Sequence, residues 1–390
     1  MRILVVDALY SENIAKFYAD RAEWQTMPYA QQLAEITKES GVCAAWWLVN
    51  ELNRMQDTAP IAVIANADPL QKSWAKENGF EINEYNWFHE ILLEQIRTFQ
   101  PDVLVVFPTT LLRPGFIKEV RMVFPRLQCA VAWDGVGAHS EVLVEEYDVI
   151  LSCLDHTTSY YRRRGKRAAT LITGFDTGIA DELRASTLQY NTVFIGSMSM
   201  APYYVDRFRL LLEISRQREI SLWMSNYPDW QPWSRPQLGL LRRFQWRRFC
   251  EIWELGKRNC GARFGRDMFS ALGQARICLN QHADFGGGHS AGNRRLWEAT
   301  GMGTCLLTDW QPNLHEIFKI DEEVVTYRST YECIEKMDYL LAHEDKRKAI
   351  AEAGMKRTHR DYSTRQFADA LIRQVTTALK EVNLSRCECY

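Results

Sequence analysis

ICLNQHADFGGGHSAGNRRLWEATGMGTCLLTD, residues Ile277–Asp309, contains a whole strand–loop–helix–strand unit. Ile277–Leu279 is a short apolar run of strand length. A glycine-rich loop follows, and Arg295–Gly301 has helical spacing. The Gly301–Gly303 turn then leads into a second apolar run, Cys305–Leu307. Two buried strands joined by a helical crossover pair in parallel, and parallel sheets are covered on both faces.

The same alternation runs outward in both directions. Towards the N-terminus the expected strands are Ile3–Val6, Ile61–Ile64, Val103–Phe107, Ala130–Trp133, Val149–Cys153 and Thr170–Thr173. Expected helices between them include Tyr29–Met55, Glu84–Phe99 and Gly115–Phe124. A second series has strands at Val193–Ile195, Ser221–Met224, Ile277–Leu279, Cys305–Leu307 and Val324–Tyr327. Its helices are expected around Pro202–Arg218, Arg266–Gln274, Arg295–Gly301, Thr330–His343 and Asp345–His359. Gly174–Asn191 has little apolar periodicity and reads as a linker. The expectation is an α/β protein of two doubly wound, Rossmann-like domains, residues 1–175 and 176–390, with the C-terminal helix packing back on the first domain. Periodicity alone leaves one large sheet open.

The bulk composition is compatible with this. The 390 residues are 46% hydrophobic and 25% charged, an ordinary globular balance with room for two cores. With 47 Lys+Arg against 49 Asp+Glu the formal net charge is −2, which argues against a general nucleic-acid binder. No run reaches the length of a membrane span. The N-terminal MRILVVDALY is broken at Asp7 and reads as a first strand rather than a leader. Ten cysteines form no C-x-x-C pair, and Cys387 and Cys389 read as a frayed tail, so a reduced, cytoplasmic setting is expected.

Open α/β sheets bind ligands beyond the carboxyl ends of their strands. The residues there are Asp7, Asn66, Pro108, Asp134, Gly196, Ser197, His282 and Asp309. In the loop Asp284–Asn293, Gly286, Gly287, Gly288 and Gly292 permit close backbone approach, and Ser290 or Asn293 is placed to cap the next helix. Amides at such a helix start suit a diphosphate. Arg295 and Glu298 lie three apart on one face: the arginine would neutralise the phosphates and the carboxylate would accept from ribose hydroxyls. A glycine loop with a surface ion pair reads equally well from spacing. No GK[ST] follows the glycines and no strand supplies G-x-G-x-x-G, which counts against P-loop kinases and NAD-dependent enzymes.

Four segments in order, RFGRDMFSALGQARICLNQH, GGHSAGNRRLWEATGMGTCLLTD, NLHEIFKIDEEVVTYRS and KRKAIAEAGMKRTHRDYS, lie within the run Gly261–Ser363. They resemble the C-terminal domain of bacterial glycosyltransferases of the spore-maturation CgeB type, related to the retaining group-1 family. QKSWAKENG at Gln71–Gly79 resembles their N-terminal half, and Tyr362 departs from a usual histidine.

The resemblance implies a GT-B architecture, two Rossmann-like domains facing across a cleft, with the acceptor on the first domain and a nucleotide-sugar donor on the second. It implies Glu298 at the ribose, Asn293 and Arg295 at the diphosphate, and Asn280 and His282 at the strand end facing the cleft. Gly196 and Ser197 match the turn opening the second domain. Arg207 is a candidate for the phosphates or for the surface, and Arg266 lies where the base is read. The diphosphate would leave through electrostatic preorganisation without metal or cofactor. An inverting reaction would need a base, for which His282, Asp134 and His139 are the candidates; Asp134 is also a natural cap or turn residue.

Residues 230–249, WQPWSRPQLGLLRRFQWRRF, interleave arginines with aromatics. They read as a plain amphipathic helix, as a peripheral contact with the inner membrane face, or as an arginine-lined cleft. The acceptor class expected is a glycan, a lipid-linked saccharide or a protein. A nucleotide-sugar epimerase on the same fold, and a non-catalytic surface or coat protein with a nucleotide or glycan pocket, are the rival readings.

Overall fold

The structure is a computed structural model and describes residues 1–19, 21–41, 43–83, 85–135, 141–184, 187–228, 246–283 and 290–387. The chain divides into two compact units, Met1–Gly174 with Tyr362–Tyr390, and Phe175–Asp361.

The first unit has a six-stranded parallel sheet: β1 (Arg2–Asp7), β2 (Ala59–Ile64), β3 (Val103–Val106), β4 (Cys129–Trp133), β5 (Val149–Ser152) and β6 (Ala168–Thr170). The order is β2-β1-β3-β4-β5-β6. Runs such as VLVV and CAVAW are buried at every position because helices cover both faces, as near-continuous apolar strands require. One face is closed by the last helix, Thr364–Cys387. Its Phe367, Ala368, Leu371, Val375 and Ala378 join Val105, Phe107, Val131 and Trp133 in one core. Phe367 meets the Trp47 and Trp133 rings edge-on at 5.0 and 5.7 Å.

The entry to that helix explains one glycine. Gly174 has φ +75°, and a Cβ there would sit 2.6 Å from the Ser363 carbonyl oxygen. Gly174→Ala is therefore expected to cost about 2 kcal/mol or more, from left-handed strain and the clash together. Thermal denaturation checks this: a midpoint lower by about 5 °C is expected, and an unchanged midpoint contradicts it.

The second unit has a five-stranded parallel sheet: β7 (Tyr190–Ser197), β8 (Ser221–Ser225), β9 (Ala275–Asn280), β10 (Cys305–Asp309) and β11 (Val325–Tyr327). Its order is β11-β10-β9-β7-β8. All its strand pairs are parallel. The chain runs outward from β7 to β8 on one side and from β9 to β11 on the other. Between β7 and β9 the winding therefore reverses, which is where an open sheet offers a ligand crevice.

Three elements depart from the sequence expectation. Tyr29–Met55 is two helices, Tyr29–Ser40 and Ala44–Asn53, because Gly41 ends the first with φ 57°. The strand expected at Thr170–Thr173 ends at Thr170, shortly before the Gly174 turn. Gly174–Asn191 is not a bare linker: Thr177–Leu183 is helical, capped by the Asp176 side chain on the Gly178 N–H at 3.0 Å. Ile179 and Ala180 are its buried residues, too few to show as periodicity.

Candidate functional site

The β7–β9 reversal is braced by one arginine. Gly196 and Ser197 end β7, and Arg207, on the helix Val205–Gln217, reaches back beneath them. Its Nη1 donates to the Ser197 carbonyl at 2.8 Å and its Nη2 to the Gln281 carbonyl, so one guanidinium ties the ends of β7 and β9 together. The Tyr204 ring lies 4.8 Å from it. Burial pushes the Arg207 pKa down, opposed by Tyr204, Asp309 and Tyr327. The alternative of a surface Arg207 is corrected here. The residue is buried and both terminal nitrogens serve the backbone, which otherwise would leave strand-end carbonyls unpaired.

The end of β9 is wired to the segment before the helix Arg295–Gly301. Asn293 Nδ2 donates to Asn280 Oδ1 at 2.7 Å, and Asn280 Nδ2 donates to Thr308 Oγ1 at 2.9 Å. The Asn280 carbonyl accepts from the Tyr327 hydroxyl at 2.7 Å. Burial, then Asp309 and Cys333, raise the Tyr327 pKa well above its usual value, against Arg207, so the phenol stays a donor. Asn313 clamps the exit of the loop, accepting from the Ala291 N–H at 2.7 Å and donating to its carbonyl at 3.0 Å. Sequence reasoning missed Asn313; the segment NLHE held it, but only the fold brings it beside Ala291. Gly287 and Gly288 lie outside the described residues. Neither Ser290 nor Asn293 caps the helix, because the cap residue is Arg294 and the Asn293 amide is engaged with Asn280.

On the first turn of that helix, Glu298 lies between two arginines. Arg295 Nη1 is 3.1 Å from Oε2 and Arg294 Nε is 3.6 Å from Oε1. The side chains of Arg295 and Glu298 are each only 11% exposed, so this is not a solvated surface pair. The Arg295 contact is an ion pair without hydrogen-bond geometry. Arg295 Nε and Nη1 are consequently buried with no hydrogen-bond partner. Burial of an ion pair offers little net stability.

His282, just past β9, pairs with Asp309 at the end of β10. His282 Nδ1 is 2.8 Å from Asp309 Oδ1, and the His282 backbone N–H reaches the same oxygen at 2.9 Å. Gln311 Nε2 donates to Asp309 Oδ2 at 2.7 Å. Burial alone would raise the Asp309 pKa, but His282 and Gln311 outweigh it and hold the carboxyl below its usual range. A depressed carboxyl pKa stabilises the fold above the unfolded value, about pH 4, and that contribution is lost as pH falls through the folded value. Asp309→Asn is thus expected to flatten the acid limb of melting temperature against pH. An unchanged acid limb contradicts this account of Asp309.

Several polar atoms of these residues are buried and unpaired. Among the described residues, Arg207 Nε, Gln281 Oε1, His282 Nε2, Arg294 Nε, Arg295 Nε and Nη1, and Gln311 Oε1 are buried without a hydrogen-bond partner. Buried polar groups are normally paired, so a concentration of orphans at one strand reversal marks a place for a polar ligand.

The remaining sequence candidates fall elsewhere. Asp134, past β4, is fully buried and accepts from the Tyr161 hydroxyl at 3.0 Å. It is part of the first unit's interior rather than a base presented to an acceptor. His139 lies outside the described residues. Arg266 forms a two-pronged pair with Glu182 of the helix Thr177–Leu183, Nη1 to Oε2 at 2.9 Å, so its guanidinium is already engaged. Of residues 230–249 only 246–249 are described, and they open the helix Trp246–Gly256. Among the described residues no helix is long and apolar enough to cross a membrane. No group of three or more His, Cys, Asp or Glu there is arranged to hold a metal.

Comparison with known proteins bears on the same unit. Residues 209–373 match the family model described as "Glycosyl transferase-like". No curated protein matches the sequence. Among solved structures, Anabaena HepE in complex with UDP-glucose is similar at TM-score 0.59 and 9% identity, covering 97% of this chain and 100% of its own. The sucrose-phosphate synthase of Thermosynechococcus elongatus is similar at 0.57 and 10%, covering 97% and 100%. A glycosyltransferase of Rickettsia africae gives 0.57 and 10%, covering 97% and 98%. The protein therefore has the GT-B fold, two Rossmann-like α/β domains, and its residues 209–373 are similar to a glycosyl-transferase-like family.

Proposed function

We propose that this protein is a glycosyltransferase that takes a sugar from a nucleotide-sugar donor bound on its second unit. The acceptor would be a hydroxyl of a glycan, a lipid-linked saccharide or a protein. The observation that carries this reading is the buried Arg295–Glu298 pair on the helix that follows β9, with Arg295 Nε and Nη1 and Arg294 Nε left without hydrogen-bond partners. Glu298 keeps lone pairs beyond those its arginines use, enough to accept from two vicinal ribose hydroxyls. Arg295 and Arg294 supply positive charge for a departing diphosphate, so the account needs no metal and no cofactor. The glycosyl-transferase-like match and a GT-B relative solved with UDP-glucose support a nucleotide sugar as the ligand. The ordered segments from Gly261 to Ser363 support a CgeB-type enzyme within that group.

Thermal-shift screening with UDP, GDP, ADP, CDP and dTDP, each free and as its glucose or mannose ester, tests the proposal. One base is expected to stabilise the protein by about 2.7 kcal/mol at a hundredfold excess over Kd. No stabilisation by any of them contradicts a donor site.

A further inference from the structure

Within this site the His282–Asp309 pair has a directional consequence. An ionised carboxylate only accepts hydrogen bonds, so the 2.8 Å contact at Asp309 Oδ1 places the imidazole proton on Nδ1. In the neutral ring the other nitrogen, Nε2, then offers a lone pair. That nitrogen is buried in a side chain only 7% exposed, and no described residue donates to it. The arrangement is held from several sides. The His282 backbone N–H and the Gln311 amide fix the two carboxylate oxygens, and Arg207 grips the Gln281 carbonyl one residue earlier. A diphosphate has only acceptor oxygens to offer at neutral pH and does not complement a lone pair. The arginines suit it, and Glu298 suits the ribose; what remains for Nε2 is a hydroxyl of the sugar.

We propose that Asp309 is a positioning residue that locks His282 as the Nδ1–H tautomer, so that Nε2 accepts a hydrogen bond from a hydroxyl of the transferred sugar. This rests on the donor-site reading above and extends it to donor choice. A sugar lacking that hydroxyl would leave a buried acceptor unpaired, the kind of mismatch by which sites reject close analogues strongly.

The test uses the full chain in two measurements. Imidazole ¹⁵N spectra of the wild type at pH 7.5 are expected to show His282 protonated on Nδ1 and bare on Nε2, and Asp309→Asn is expected to move the proton to Nε2. Titrations then compare UDP-glucose, GDP-mannose and ADP-glucose with their parent nucleoside diphosphates. For whichever sugar nucleotide the wild type binds, Asp309→Asn and His282→Ala are expected to weaken it about tenfold or more. The parent diphosphate should change less than twofold. A wild-type His282 protonated on Nε2, or an equal loss for sugar nucleotide and parent, overturns the inference and leaves the donor site standing. If the wild type binds none of the ligands, the donor-site reading fails, and the ligand assigned to Nε2 fails with it. The tautomer lock would still be decided by the spectra.

Discussion

Glu298→Ala is expected to weaken nucleoside diphosphate binding by about 100-fold or more. Two hydrogen bonds to a carboxylate contribute about 1.5–3 kcal/mol each, and both disappear with the side chain. The substitution also strands Arg295, whose side chain is 11% exposed and whose ion-pair partner is Glu298. A buried charge left without its partner costs about 3–5 kcal/mol, so the alanine protein is expected to melt earlier as well. Glu298→Gln separates the two effects. It keeps the shape and one acceptor oxygen, and it should lose about tenfold in affinity at a smaller cost in stability. Isothermal titration of both variants, with circular dichroism as the check on folding, reads the result. Wild-type affinity in a folded Glu298→Gln and Glu298→Ala pair contradicts the ribose assignment.

The second large effect lies at the other end of the chain. Phe367→Ala is expected to destabilise the first unit by about 3–5 kcal/mol, the usual cost of emptying a buried phenylalanine site. Phe367 is 2% exposed and packs against Trp47, Phe107 and Trp133 at once, so no single neighbour can collapse into the space. Deleting residues 362–390 removes Phe367, Ala368, Leu371, Val375 and Ala378 together and uncovers one face of the first sheet. A loss of that size exceeds what a marginally stable domain can absorb, so the truncated first unit should not fold. Denaturant unfolding followed by tryptophan fluorescence distinguishes the outcomes. A truncated chain that unfolds with the wild-type midpoint would show that this helix is not part of the first core.

The strands were the legible part of the fold, for a physical reason. Parallel strands buried on both faces are apolar at nearly every position, as in VLVV at Val103–Val106 and VILS at Val149–Ser152, and stand out against any helix. Helix ends were less legible because they are decided by single backbone conformations. Gly41 divides one expected helix into two through a left-handed φ, and Thr177–Leu183 is a helix with only two buried residues. At the site, spacing brought Arg295 and Glu298 together correctly, since three residues on a helix is a local fact. Spacing did not show that the pair is buried, which depends on elements as far away as Met268, whose sulfur is 3.3 Å from Arg295 Nη2. It also could not show that Asn293 serves Asn280 rather than the helix, that Arg207 serves two carbonyls, or that Asp134 faces Tyr161. In each case the deciding partner is remote in sequence: Gln281 lies 74 residues from Arg207 and Tyr161 27 from Asp134.

The central claim, that the second unit holds a sugar nucleotide whose sugar–phosphate bond is broken, is tested most directly by incubating the purified protein with the sugar nucleotide found by thermal shift. Products are then followed by ¹H and ³¹P NMR without added acceptor. Slow release of the free sugar and the nucleoside diphosphate is predicted, faster than in the no-protein control and lost in Glu298→Ala. Recovery of the donor as an epimer, or a bound donor that stays intact at the control rate, would contradict it.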